Sequence, residues 1–209
     1  MKLISWRNII NWIFLGIFVI SLSIAITINF TPLYYFFVYH YHLASLVKMT
    51  NQQLITEYHQ LLSYLNFPWQ KQLRLSLPST ASAREHFLEV KHLFEINYLC
   101  LILTFYPTLS YLHRLKITKC WWELLFPCKI FGSLTIGLFI LASLDFNDFF
   151  VYFHLILFRN QDWVFDPQKD PIIKVLPEEF FAAAFALFFL LIGSSFVFCL
   201  IQGKKSLKK

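Results

Sequence analysis

The sequence predicts an all-α integral membrane protein with four spanning helices, and three observations carry the prediction. Apolar residues make up 57% of the 209-residue chain and charged residues only 14%, more apolar surface than a soluble domain hides in its core. Apolar runs at about 9–30, 93–112, 124–144 and 180–201 are long enough, at about 1.5 Å per helical residue, to cross most or all of roughly 30 Å of hydrocarbon. The 25 Phe, 10 Tyr and 6 Trp suit both lipid contact and interfacial belts. Residues 1–209 are expected to form a single membrane domain, with outer loops at about 31–92 and 145–179 and no internal repeat.

The first run carries no charge, follows Lys2 and Arg7, and is too long for the hydrophobic part of a cleaved signal, so it reads as an uncleaved anchor. The aromatic residues from Tyr34 to Tyr41 read as an interfacial belt. In the first outer loop Leu54, Ile55, Tyr58, Leu61, Leu62 and Leu65 recur at three- and four-residue steps behind Thr50 and Asn51, which predicts a capped amphipathic helix. Leu73, Leu75 and Leu77 alternate with Arg74 and Ser76, a pattern for a small strand element. Ser82 and Glu85 have capping-box spacing, so a helix is expected from near Ala83 to about Leu112, with its first turns projecting above the membrane. Trp121 and Trp122 mark an interface before the third span.

In the second outer loop, residues 149–158 hold His154 as the one side chain that titrates near neutrality, in a run too short to span. An interfacial or re-entrant helix is expected there. A turn-rich acidic loop follows, with Arg159, Asn160, Asp162, Trp163, Asp166 and Asp170, and then Pro177, Glu178 and Glu179 open the last span where the amide dipole favours negative charge. Ten of the 18 Lys and Arg, but only Glu123 of the 12 acids, lie in the two terminal tails and in the loop after the second span together with the start of the third. Both termini are therefore expected in the cytoplasm and both long loops outside. That orientation puts His86 and His154, 68 positions apart, on one surface.

The net charge of +6 does not imply nucleic acid, because the basic residues flank apolar spans instead of forming aromatic-interleaved patches. The four Cys give no disulfide framework. No HExxH, paired zinc spacing, Gly-rich phosphate loop or GxSxG elbow occurs, so no metal, cofactor or protein nucleophile is expected. The histidines are the candidates for proton transfer, since imidazole can take and return a proton near pH 7. Glu85 and Glu89 flank His86 and could orient it, as Asp166 or Asp170 could orient either ring. Each also has a plainer reading: His86 as an interfacial residue in a charged helix start, His154 as a satisfied buried histidine, the Asp-Pro pairs as turns, Trp163 as an interfacial anchor and Arg159 as a snorkelling cation.

The string FHLILFRNQDWVFDPQKDPIIKVLPEEFF, the earlier SAREHFLEVK and the four-span layout together resemble the bacterial lipoprotein intramolecular transacylases. The resemblance covers nearly the whole chain, with Phe87 and Glu89 standing where the family pattern has Met and Asp. It implies an acyltransferase of the bacterial plasma membrane acting on a diacylated lipoprotein. The sn-2 acyl chain of the diacylglyceryl thioether on the amino-terminal cysteine moves to that cysteine's own α-amino group, leaving the lyso form. His86 and His154 fall on the family's catalytic histidines. Membrane lipid is the other partner, and the oligomeric state stays open with a monomer sufficient. The alternatives are a non-catalytic lipid- or partner-binding membrane protein and a metal-dependent lipid hydrolase.

Overall fold

The computed structural model describes residues 5–208; Lys2 and Lys209, two of the flanking cations counted above, lie outside them. The regular elements among the described residues are all helical, in the order α1 Trp6–Asn29, α2 Thr31–His40, α3 Leu43–Leu46, α4 Asn51–Asn66, α5 Ala81–Thr118, α6 Leu125–Leu144, α7 Phe146–Leu157, α8 Ile172–Val175 and α9 Glu178–Leu207, with one 3-10 turn, Trp121–Leu124, before α6. Four stretches, Trp6–His40, Ala81–Thr118, Trp121–Leu144 and Glu178–Leu207, are long and apolar enough to cross a membrane. Their outward faces carry Ile102, Leu134 and Leu190, each more than 60% exposed. Apolar surface on that scale needs lipid, not water, as its solvent.

The chain divides into two compact units, Met1–Thr27 with Asn97–Leu144 and Ala186–Lys209, and Ile28–Ile96 with Asp145–Phe185. In the first unit Leu15, Tyr111, Leu115, Leu124, Cys128 and Cys199 form the core. Polar groups inside it are paired: the Trp12 indole N–H donates to the Tyr111 hydroxyl at 3.1 Å and Asn97 donates to the Ser21 carbonyl at 3.2 Å. Arg114 and Glu123 close the turn after α5 with an ion pair at 2.9 Å.

The second unit holds the expected amphipathic helix, α4, started by a capping box in which Thr50 and Gln53 bond each other's backbone N–H. Leu54, Tyr58, Leu61, Leu62 and Leu65 are its buried face, as the three- and four-residue steps predict. Tyr58 stacks on Tyr34 with centroids 3.8 Å apart, and the Tyr34 hydroxyl donates to the Val175 carbonyl at 3.0 Å. The aromatic run at 34–41 is thus only partly a belt: Tyr34 and Phe37 are core, while Phe36, Tyr39 and Tyr41 remain exposed.

Two local expectations are corrected. No strand forms at 73–77, nor anywhere among the described residues. The Ser76 N–H and hydroxyl both donate to the buried Glu57 carboxylate, at 2.8 and 2.7 Å, so a side chain takes the place of a partner strand. The helix carrying His86 starts at Ala81, not Ala83, because Thr80 is its cap and accepts the Ala83 N–H at 3.1 Å. The hydroxyl of Ser82 is turned instead to Asp162.

Candidate active site

His86 lies in the second turn of α5 and His154 in the last turn of α7, the latter helix capped by Asp145, which accepts the Asp148 N–H. Both histidines are buried, each 8% exposed, and their ring centroids are 5.8 Å apart. Phe158 lies edge-on to His86 at 4.7 Å and within 5.7 Å of His154. Phe165 closes the His86 side at 5.6 Å, and Phe150 and Trp163 flank His154 at 4.1 and 4.9 Å. The pair therefore sits in an aromatic box, where water is scarce and electrostatic interactions are strong.

The hydrogen bonds assign protons. Nδ1 of His154 lies 2.7 Å from the Phe150 carbonyl oxygen; a carbonyl only accepts, so Nδ1 carries the hydrogen and Nε2 of the neutral ring keeps a lone pair. Nδ1 of His86 is buried with no partner among the described residues. Burial depresses both imidazoles. For His86 desolvation comes first and the neighbouring His154 second, with Asp162 opposing, and together they bring it down to about 4. For His154 burial lowers it against the bond to Phe150. Residues 81–92 precede the expected span at 93–112, so both histidines lie outside the expected spans, His86 in the first turns of α5 and His154 in the short helix α7. Two neutral imidazoles at pH 7 can act as base and, once one has taken a proton, as acid.

Asn160 is the hub that ties the loop after α7 to α5. Its amide donates to Glu89 at 2.7 Å, its side-chain oxygen accepts the Asp162 N–H at 3.1 Å, and its carbonyl accepts the Trp163 indole N–H at 3.1 Å. Glu89 therefore faces this loop, its second oxygen buried and without a partner among the described residues. Of the other residues singled out from sequence, Glu85 is exposed and makes no hydrogen bond to the ring, and Arg159 is exposed with no hydrogen bond or ion pair among the described residues. Asp166 makes a turn, accepting the Gln168 N–H at 2.9 Å beside an exposed Lys169 at 3.6 Å. Asp170 is buried but serves α5, accepting the Thr80 N–H at 2.7 Å and its hydroxyl at 3.1 Å. Neither aspartate is placed to orient an imidazole, and no three His, Cys, Asp or Glu among the described residues converge as metal ligands.

Sequence reasoning passed over Phe150, Phe158 and Phe165, and the bond between Ser82 and Asp162. A signal existed for two of them: Phe150 and Phe158 stand four residues before and after His154, the spacing that places side chains on one helical face.

The whole assembly has known counterparts. A structure of the membrane-integral lipoprotein intramolecular transacylase Lit from Bacillus cereus superposes with a TM-score of 0.89 at 28% identity, covering 97% of this chain and 94% of that one. Two variants of that protein, with one histidine replaced by arginine or by alanine, each superpose with a TM-score of 0.80 at 27% identity over 97% of this chain and 91% and 92% of theirs. A search of curated proteins returns no match. The family described as lipoprotein intramolecular transacylase Lit matches residues 9–181. The four apolar helices, the likeness to a membrane-integral enzyme and this match lead to one conclusion: the chain belongs to the Lit family of lipoprotein intramolecular transacylases.

Proposed function

We propose that this protein moves the sn-2 acyl chain of a diacylated lipoprotein to the α-amino group of the same lipidated cysteine, with His86 and His154 as the acid–base pair. The observation that carries the assignment of residues is the 5.8 Å separation of two buried rings that are 68 positions apart in the chain. Nε2 of His154 takes a proton from the amine as nitrogen attacks the ester carbonyl. The C–N bond forms, the C–O bond breaks, and the proton returns to the sn-2 oxygen, directly or through His86. No other reagent enters, so no metal and no cofactor is required.

An α-amine with a pKa of about 8 is mostly protonated at neutral pH, and an aromatic box that disfavours charge promotes its neutral, nucleophilic form. Because amine and ester belong to one molecule, holding them in a reactive ring replaces a bimolecular encounter, worth up to about 7–11 kcal/mol in ideal cases. Asn160 uses one amide N–H on Glu89, which leaves the other for the oxyanion; one such donor contributes roughly 3 kcal/mol.

The protein is assigned to the bacterial plasma membrane as a single domain with spans at about 9–30, 93–112, 124–144 and 180–201, both termini cytoplasmic and the site extracytoplasmic. One chain supplies both histidines, so a monomer suffices. The test is mass spectrometry of a reporter lipoprotein in a host lacking its own N-acylating enzyme. His86→Ala and His154→Ala, each inserted at the normal level, are expected to give no lyso product. Full product from both would reject the assignment.

A further inference from the structure

Lys91 is a buried cation outside the site, only 4% exposed, and no carboxylate among the described residues pairs with it. Its ammonium instead donates to the carbonyls of Phe67 at 2.9 Å and Gln70 at 2.5 Å and lies 4.5 Å over the Tyr64 ring. Taking an ammonium out of water is costly, and here the hydrogen bonds that compensate both go to one turn, 67–70, which the Gln70 N–H closes on the Phe67 carbonyl at 3.1 Å. What the turn displays is unusual for a surface loop. Phe67 and Trp69 are 43% and 72% exposed and stack on each other with centroids 4.8 Å apart. Beyond them Lys71 and Arg74, exposed and unpaired among the described residues, line with Trp69, Gln70 and Gln72 an open cleft of about 510 Å³. The stretch 66–76 contains no acid.

We propose that this turn is an interfacial anchor that binds anionic phospholipid headgroups, with Phe67 and Trp69 at the level of the ester groups and Lys71 and Arg74 on phosphate oxygens. The depth is set by the clamp. Lys91 is two residues before the expected span at 93–112, so the carbonyls it holds lie at the hydrocarbon boundary, the level that Trp rings favour. The charge fits: two cations with no protein partner face the one abundant anion of that layer. The diacylglyceryl headgroup of the proposed substrate carries no phosphate, so the ligand is bulk phospholipid. This reading is independent of the transacylation chemistry.

The full-length protein in nanodiscs of phosphatidylcholine with a minority of phosphatidylglycerol tests it, with bromine carried in turn on one lipid or the other at equal mole fraction. The emission due to Trp69 is the difference between the unaltered protein and Trp69→Phe. It is expected to be quenched several-fold more by brominated phosphatidylglycerol, since a basic residue near a charged surface enriches the anion by about five-fold. Lys71→Gln with Arg74→Gln is expected to remove the preference while retaining quenching. Equal quenching by both lipids, an unchanged preference in the double variant, or loss of the preference to inorganic phosphate at constant ionic strength would overturn the proposal. So would Trp69 emission that neither lipid quenches but a lipopeptide shifts, which would assign this face to the substrate's peptide.

Discussion

Replacing Asp170 by Ala tests whether the loop after α7 positions His86 through the helix cap. Asp170 is 3% exposed and accepts two hydrogen bonds from Thr80, at 2.7 and 3.1 Å, while Thr80 in turn accepts the Ala83 N–H. A hydrogen bond to a charged group contributes about 1.5–3 kcal/mol, and water reaching the half-buried Thr80 offsets part of the loss, so the variant should lose about 3 kcal/mol. For a chain of this size that lowers the midpoint of thermal unfolding by about 6–12 °C. Asp170→Asn keeps an acceptor for the N–H and should lose about half as much. His86 lies six residues beyond the cap, and a displacement of about 1 Å at a reacting group costs up to about a hundred-fold in rate. Thermal unfolding in detergent and initial rates of lyso-product formation well below the midpoint separate the two effects. An unchanged midpoint would refute the energetic argument, and a lowered midpoint with full turnover would refute the positioning argument.

Asn160→Ala removes the amide that donates to Glu89 and a proposed oxyanion donor; turnover should fall by about 10²-fold or more, read by the same mass spectrometric assay well below a thermal midpoint that the lost bond to a charged group lowers by about 3–12 °C. Acid should destabilise the fold through His86. Its folded value, about 4, lies below the ordinary 6.5, so the unfolded chain binds the proton more readily. Stability is therefore intact above about pH 6.5 and declines as pH falls toward 4. The limiting loss is roughly 3 kcal/mol, and thermal midpoints across that range should drop less steeply in His86→Gln.

Much of the architecture is legible locally. The four apolar helices follow from hydropathy, α4 from its three- and four-residue steps and its Thr50 cap, and the two histidines from being titratable groups beside apolar runs. What escaped local reading depends on contacts across the chain. Asp170 looks like a site carboxylate until Thr80, 90 residues earlier, is found against it, and Ser82 looks like a cap until Asp162 takes its hydroxyl. The alternation at 73–77 mimics a strand, but a strand needs a partner edge and Glu57 supplies the acceptors instead. Lys91 was readable in principle: it falls between Phe87 and Phe94 on one face of α5, and both pack in the core around it.

The unbroken run of α5 from Ala81 to Thr118 makes the helix a ruler. With the proposed span at 93–112, His86 would stand seven residues, or about 10 Å, above the hydrocarbon edge. On the proposed reading, the proton relay would be held at the height where glycerol meets the first peptide residue, with the fatty tails below its reach. Selection by such a device is for altitude and not for tail length, so lipoproteins with short, long or branched chains should be processed at similar rates.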